Sequence, residues 1–261
     1  MKLRRVIDSI ADFSPFSWAE DWDNSGLILG DPEREISSIV ATLDISLPVL
    51  DFADENDHDL IVSHHPFIFK ALRSIDLSQY DSRILSIAMG KKIAIVAMHT
   101  NWDYSPTGMN VILSDLLGLE GVAPLAPVYT GGWGIGAIGK FPLQILFRDL
   151  PDLIIEKWGL SWIRGYGSSD RKIQRVALCG GSGGDLWETA LASGADVFIT
   201  ADIKYHQILE SVSRGLSILV VDHGEMENLS IPSLSNQISD VTGLQVVEYA
   251  DMELDKYKIL R

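Results

Sequence analysis

Histidine and carboxylate side chains recur in this sequence at spacings that suit divalent metal ions. The six histidines are His58, His64, His65, His99, His206 and His223. Five of them fall at or just beyond the C-terminal end of a predicted strand. Open α/β sheets gather ligands at that edge, because the loops converge there and helix N-termini point in. His64 and His65 are adjacent and followed by Pro66. Neighbouring residues in a strand point to opposite faces, but the strand is ending here and Pro66 holds His65 extended. Both rings can then approach one place and meet two neighbouring ions. Alone, such a pair reads more readily as two hydrogen-bonded strand-end histidines.

Two further pairs change that balance. His99 and Asp103 are four residues apart, as are His223 and Glu227. On a helix, residues four apart share a face, so each pair can serve one ion. The bland alternative for one pair is a strand-end histidine followed by a carboxylate favoured near a helix N-terminus. Two such pairs beside a His-His pair favour a metal site. Six candidate ligands exceed the four of a typical zinc site, and Glu227 can bridge two ions through its two oxygens. Two-metal sites lower the pKa of bound water and clamp developing negative charge. Mixed nitrogen and oxygen donors suit Zn, Mn, Fe, Co or Ni. Asp202 and His206 are again four apart; they read as groups that orient a ligand or as an acid/base pair.

The elements that must position these residues follow from the apolar pattern. An amphipathic helix is expected over residues 2–12, where Leu3, Val6, Ile7 and Ile10 recur at helical spacing. Strands are expected at Ser38–Leu43, Leu60–Ser63, Ile93–Met98, Arg175–Leu178, Val197–Thr200, Ile218–Val221 and Leu244–Tyr249. Helices are expected at Pro48–Asn56, Arg83–Gly90, 107–118, Leu186–Ser193, Ile208–Ser213 and Ile231–Val241. Short apolar strands with helices between them indicate largely parallel or mixed sheets covered on both faces. The Gly/Pro-rich stretch Pro124–Gly139 reads as a junction.

The two halves resemble each other. The segment from Leu85 to Asp103 aligns without a gap on the segment beginning at Leu209, placing His99 on His223 and Asp103 on Glu227. HDLIVSHH, ending at His65, likewise matches ADVFITAD, ending at Asp202. The fold expected is α/β: two related α/β units with mixed sheets flanked by helices and the metal site between them. The first unit would span 1–124, completed by the C-terminal segment 229–261, and the second 125–228.

Other residues are given plainer readings. The loop Cys179–Asp185 (CGGSGGD) lies between a strand and a helix, where backbone N–H groups can meet a phosphate. It lacks a lysine and the dinucleotide glycine spacing, so a tight turn is the default. Cys179 reads as a small core residue. Trp22–Gly26 (WDNSG) reads as a turn capped by Asp23 or Asn24, and His58 as a solvated loop residue. Trp158 and Trp162 read as packing.

Bulk properties exclude several classes. With 261 residues and 46% hydrophobic content, the chain can bury a sizeable core. No apolar run reaches the eighteen or so residues of a spanning helix. The basic start MKLRRVIDSI is broken by Asp8 and Asp12, too early for a signal peptide, so a cytoplasmic location is expected. A single cysteine rules out an internal disulfide and cysteine-rich zinc sites. A net charge of −15 without a basic stripe speaks against nucleic-acid binding by the general surface.

In order along the chain stand WDNSGLILG, DLIVSHHPFIF, HTNWD, CGGSGG, TADIKYH and HGEME. Together they resemble the GTP cyclohydrolase I type 2-like family, also called Nif-three-like dinuclear metal-centre proteins, from about Trp22 to Asn228. The length is similar to that of the family's short form, which lacks a domain inserted between the halves. The resemblance implies a toroidal homohexamer with two divalent ions per chain, held by His64, His65, Asp103, His223 and Glu227. His99 is similar to a nearby family position. His223 is followed here by Gly-Glu-Met-Glu, so Glu225 competes with Glu227, and the four-residue spacing favours Glu227. The family name implies opening of the guanine imidazole ring of GTP with release of formate. His99 or His206 would shuttle protons with Asp202 nearby, and the partner would be a nucleotide or phosphorylated small molecule. A metal-storage or metal-handling protein and a ring-shaped scaffold with structural metal stand as alternatives.

Overall fold

A computed structural model of the chain describes residues 1–128 and 134–250. The first half runs α1 (Leu3–Phe13), β1 (Gly26–Leu29), β2 (Ser38–Thr42), α2 (Leu47–Glu55), β3 (Leu60–Ser63), α3 (Tyr80–Lys91), β4 (Ala94–Ala97) and α4 (Thr100–Asp103). Next come α5 (Met109–Leu117), β5 (Glu120–Ala126), β6 (Ile135–Leu146), α6 (Leu150–Trp158), β7 (Ile163–Tyr166) and β8 (Lys172–Leu178). The chain continues through α7 (Trp187–Ala192), β9 (Val197–Thr200), α8 (Tyr205–Ser213), β10 (Ser217–Val221) and α9 (His223–Asn228) to α10 (Ile231–Thr242) and β11 (Gln245–Tyr249). Two compact units result: Met1–Trp102 with the chain from Ile231 onward, and Asp103–Ser230.

The first unit carries a five-stranded sheet in the order β1-β4-β3-β2-β11. β4, β3, β2 and β11 are parallel, and β1 is antiparallel at the edge. All residues of β3 and β4 are buried, as apolar strands covered on both faces should be. Val40, Ile61 and Ile95 meet Val49, Leu50 and Ala53 of α2 and Ile84 and Ala88 of α3. On α1, Leu3, Val6 and Ile10 are fully buried; α1 packs on α10, which lies against β2 and β11. The α2 start is fixed by Ser46, whose hydroxyl accepts from Val49 N–H at 3.4 Å, with a proline in the first turn.

The second unit carries a six-stranded sheet in the order β5-β6-β8-β9-β10-β7. β8, β9 and β10 are parallel; β7, β6 and β5 pair antiparallel. Phe198, Ile218, Ala177, Trp187 and Ile208 form its core. The series β1-β4-β3-β2 of the first sheet has the same strand directions as β7-β10-β9-β8 of the second. The likeness read from the segments at Leu85 and Leu209 therefore extends to sheet topology.

The boundaries differ from the sequence reading. The division falls at Trp102/Asp103, within α4, rather than at 124/125. The reason lies in β pairing: Pro124 opposes Ala137 in the β5–β6 ladder, so most of the described part of the Gly/Pro-rich stretch is sheet rather than linker. Its residues 129–133 lie outside the described residues. Among the described residues no helix is long and apolar enough to cross a membrane.

His58 also departs from expectation. It is 8% exposed, stacked on Phe52 at 5.7 Å, and its Nδ1 is buried with no hydrogen bond among the described residues. Burial lowers its pKa below the ordinary 6.5, against the opposing charges of Asp59 and Asp57. An unfolded chain therefore takes up this proton at a higher pH than the folded one. Stability from His58 is complete above pH 6.5 and falls as pH drops from there toward the lowered folded value. His58→Phe should flatten the dependence of Tm on pH in that window relative to wild type. Parallel profiles for the two proteins would refute the assignment.

Candidate metal centre

Three of the four parallel strands of the first unit, β2, β3 and β4, end in register. Thr42 opposes Ser63, and Ser63 opposes Ala97. Residues following them leave the sheet at one edge, still tethered by His64 N–H to Thr42 O, His65 N–H to Leu43 O and Met98 N–H to Ser63 O. The Ser63 hydroxyl donates to His65 O at 2.8 Å, making a turn directly after the strand. The turn brings the His64 and His65 rings to 4.9 Å between centroids. His99 joins them at 5.2 Å from His64 and 5.7 Å from His65. One ligand nitrogen from each of the three rings falls within 4.8 Å of the others.

Each ring is held by a partner that can only accept. His64 Nδ1 lies 2.9 Å from Met98 O, His65 Nδ1 2.8 Å from Asp44 Oδ1, and His99 Nδ1 2.8 Å from Asp23 Oδ1. A carbonyl or an ionised carboxylate has no proton to give, so in each case Nδ1–H is the donor and Nε2 of the neutral ring presents its lone pair. This is the arrangement that orients metal-binding histidines generally.

Asp23 is the most constrained of these partners. Its side chain is fully buried. It accepts from the Thr100 hydroxyl at 2.6 Å and amide at 3.1 Å, the Ser25 hydroxyl at 2.7 Å, and Asn24 N–H at 2.7 Å, besides His99. Burial alone would raise its pKa, but the hydrogen bonds from His99, Thr100 and Ser25 outweigh it and hold the carboxyl far below the usual range. The sequence reading gave Asp23 only a turn-capping role and did not single out Asp44. Asp44 follows β2 at the same sheet edge as the histidines, and that position was the available signal.

In the second unit, α9 begins at the end of β10. Asp222 caps it, its side chain accepting from Glu225 N–H at 3.0 Å. The helical register puts His223 and Glu227 on one face, with Nε2 3.1 Å from Oε2. His223 Nδ1 is 2.7 Å from Asp202 Oδ2, which also accepts from the Ser182 hydroxyl at 2.7 Å. Burial and the charge of Glu227 oppose ionisation of Asp202, yet the hydrogen bonds from Ser182 and His223 keep its carboxyl below the usual value. With Nδ1 committed as a donor, a neutral His223 turns a lone pair toward a carboxylate oxygen. Only a cation, a proton or a metal ion, makes that juxtaposition favourable. Glu227 is 3% exposed, and a buried carboxylate needs a compensating charge.

Asp103 closes α4, and its carbonyl accepts from Asn110 Nδ2 at 3.2 Å. Asn110 Oδ1 accepts Gly180 N–H at 2.9 Å, tying the glycine loop to the same place. Burial, then the charges of Asp103 and Glu227, push the Cys179 thiol far up. Cys179 is thus an inert core thiol, with both carboxylates near it. Gly181 has φ +61, and a Cβ there would collide with Glu227 Oε1 and approach His223 Nε2 to 3.1 Å. The loop amides Gly180 and Gly183 donate to Asn110 and to Thr200 and Gly181. The loop is a close-packed support for the donors, as its tight-turn reading had it.

Not every expected pairing forms. Asp202 sits at φ 32, before α8 begins at Tyr205, so the four-residue separation of Asp202 and His206 does not put them on one helix face. His206 is exposed with its ring edge-on to Tyr205 at 5.3 Å. Glu225, the competing carboxylate, accepts Ser161 N–H at 2.7 Å.

A pair of related α/β units with histidine and carboxylate groups at their strand ends defines an α/β protein with a candidate metal centre. The family described as Duf34/NIF3 (NGG1p interacting factor 3) matches residues 1–255, and the chain belongs to it. It is 33% identical over 251 residues, 95% of both chains, to the GTP cyclohydrolase 1 type 2 homolog of Campylobacter jejuni. It is 32% identical over 232 residues to NIF3-like protein 1 of Drosophila melanogaster, covering 87% of this chain and 78% of that one. The fold is similar to the crystal structure of the Staphylococcus aureus hypothetical protein SA1388, with TM-score 0.90 and 27% identity over 100% of this chain and 99% of that one. It is also similar to reduced HcgD from Methanocaldococcus jannaschii, with TM-score 0.79 and 26% identity over 95% and 97% of the chains.

Glu227→Gln keeps the shape of the side chain but removes its charge. It should reduce metal affinity by more than the ~10–100-fold that loss of an outer hydrogen-bond partner costs. Glu225→Gln should retain metal. Elemental analysis of both variants after identical loading decides, and metal loss in Glu225→Gln alone would overturn the assignment.

Proposed function

We propose that this protein is a dinuclear metal-dependent hydrolase, in which His64, His65, Asp103, His223 and Glu227 hold two divalent ions. The observation that carries the reading is the set of acceptor-only partners on four imidazoles, Met98 O, Asp44, Asp23 and Asp202, which leaves Nε2 of every ring as a donor atom. The donor chemistry fits: imidazole nitrogens and carboxylate oxygens suit Zn, Mn, Fe, Co or Ni, and Glu227 brings negative charge that two cations need. When bound, such a pair supplies an activated water and stabilises negative charge developing on the substrate.

The reaction class that best accords with relatives named GTP cyclohydrolase 1 type 2 homolog is hydrolytic opening of a purine imidazole ring. His99 would move the proton: Asp23 fixes its Nδ1–H, so Nε2 is the atom that accepts and returns it. Asp202 positions His223 rather than touching substrate. Protein reconstituted with a single divalent metal should hold close to two ions per chain and, given GTP, lose purine absorbance while releasing formate. At most one ion per chain would remove the dinuclear centre. Two ions without turnover of any purine nucleotide would replace the hydrolase with a metal-handling protein.

We also propose a ring-shaped homohexamer, on family membership alone. Light scattering should return six times the chain mass of 28.8 kDa; a monomeric mass would exclude the ring.

A further inference from the structure

Two large aromatic side chains stand exposed beside His99. Trp22 is 58% and Phe69 48% exposed. Their rings touch at 5.6 Å between centroids, tilted by 49°. Both lie edge-on to the His99 ring, Trp22 at 6.2 Å and 77°, Phe69 at 6.0 Å and 78°. Exposing this much aromatic surface forgoes hydrophobic stabilisation, and a joined exposed patch usually marks a contact surface.

The patch is built rather than incidental. Trp22 begins the triplet Trp22-Asp23-Asn24. Asp23 binds His99 and Thr100, which fixes the main chain next to Trp22. Asn24 Nδ2 donates to Ile68 O at 2.6 Å, which fixes the main chain next to Phe69. Three consecutive residues thus hold one ring, the histidine beside it, and the loop carrying the second ring. The same loop carries Lys70 and Arg73, both exposed and without an ion-pair partner among the described residues, in a chain of net charge −15.

We propose that Trp22 and Phe69 form a stacking platform for the planar heteroaromatic base of a nucleotide, and so determine substrate class at this site. The inference rests on the hydrolase reading for its context. It adds residues that take the base, beside the histidines and carboxylates assigned to the metal. Aromatic faces bind purine rings through dispersion and quadrupole complementarity. A base stacked on one of these rings, with the other tilted 49° against it, lies beside His99. The positive charges of Lys70 and Arg73 suit the phosphate end of the same ligand.

The test is equilibrium binding of GTP and of inorganic triphosphate to the metal-loaded protein, measured by calorimetry under conditions where turnover is blocked by cold. Trp22→Ala and Phe69→Leu should each weaken GTP binding by about tenfold, in line with the worth of one base–aromatic stack. Trp22→Phe and Phe69→Tyr, which keep a π face, should stay close to wild type. Inorganic triphosphate should bind all four variants as it binds wild type, with metal content unchanged. Both side chains are exposed, so loss of fold is not expected, and metal content monitors it. Equal GTP affinity in wild type, Trp22→Ala and Phe69→Leu would overturn the platform, as would equal weakening of triphosphate or the absence of GTP binding to wild type. Base binding that depends on Trp22 without any ring opening would sink the hydrolase reading and leave the platform standing. Ring opening with an unaltered KM in both variants would do the reverse.

Discussion

Everything at the candidate centre depends on a hydrogen bond from an imidazole Nδ1 to a group that cannot donate. Met98 O, Asp44, Asp23 and Asp202 each take that role once. The bond does two things. It selects the tautomer whose Nε2 is a Lewis base, and it fixes the ring about its χ angles before any ion arrives. Preorganisation of this kind removes an ordering cost from ligand binding. Asp23 shows how far the fold goes to secure it: five hydrogen bonds converge on one fully buried carboxylate.

The sheets supply the positions. Both sheets contain an antiparallel strand followed by three parallel ones, β1-β4-β3-β2 and β7-β10-β9-β8, and the donors follow the C-terminal ends of these parallel strands. The two copies of that motif have diverged in chemistry. Strand ends β3 and β4 deliver three imidazoles. Strand end β10 delivers one imidazole and, a helical turn later, a buried carboxylate. Nitrogen-rich and carboxylate-bearing donor sets differ in charge, and the second brings the anionic character that divalent ions require. His99 and His223 occupy equivalent places but draw their orienting carboxylates from different elements: Asp23 before β1, Asp202 after β9.

Local pattern made much of this legible in the sequence. β3 and β9 were readable to the residue because short apolar runs bounded by polar residues leave few alternatives, and the α9 register of His223 and Glu227 followed from spacing alone. What was not legible was set by contacts distant in sequence. Asp23 and His99 are joined across the fold, and no local signal in WDNSG separates a buried anchor from a surface turn. His58 looked solvated between Asp57 and Asp59; its burial comes from stacking on Phe52, which itself packs on Tyr249 of β11. The Gly/Pro-rich stretch after Pro124 looked like a linker because its composition breaks helices, yet an antiparallel ladder accepts such residues where bulges and edges permit. Asp202 and His206 were paired for being four residues apart, and the positive φ at Asp202, ahead of α8, takes that separation off any helix face.

The glycine loop and Cys179 show how the second unit tolerates its own charge. Gly181 adopts a left-handed conformation with Glu227 and His223 where a side chain would lie, so the backbone itself forms one wall of the donor set. A wall of backbone admits no competing side-chain ligand. Behind it, Cys179 is kept a neutral thiol first by burial and then by the charges of Asp103 and Glu227. A thiolate there would add a third negative charge to a region that already holds two carboxylates, and would compete for soft metals. With the sulfur protonated, the candidate donors are imidazole nitrogens and carboxylate oxygens. The same negative field that silences the thiol is of the sign a divalent cation would need, so one electrostatic arrangement accounts for the inert sulfur and suits the proposed metal.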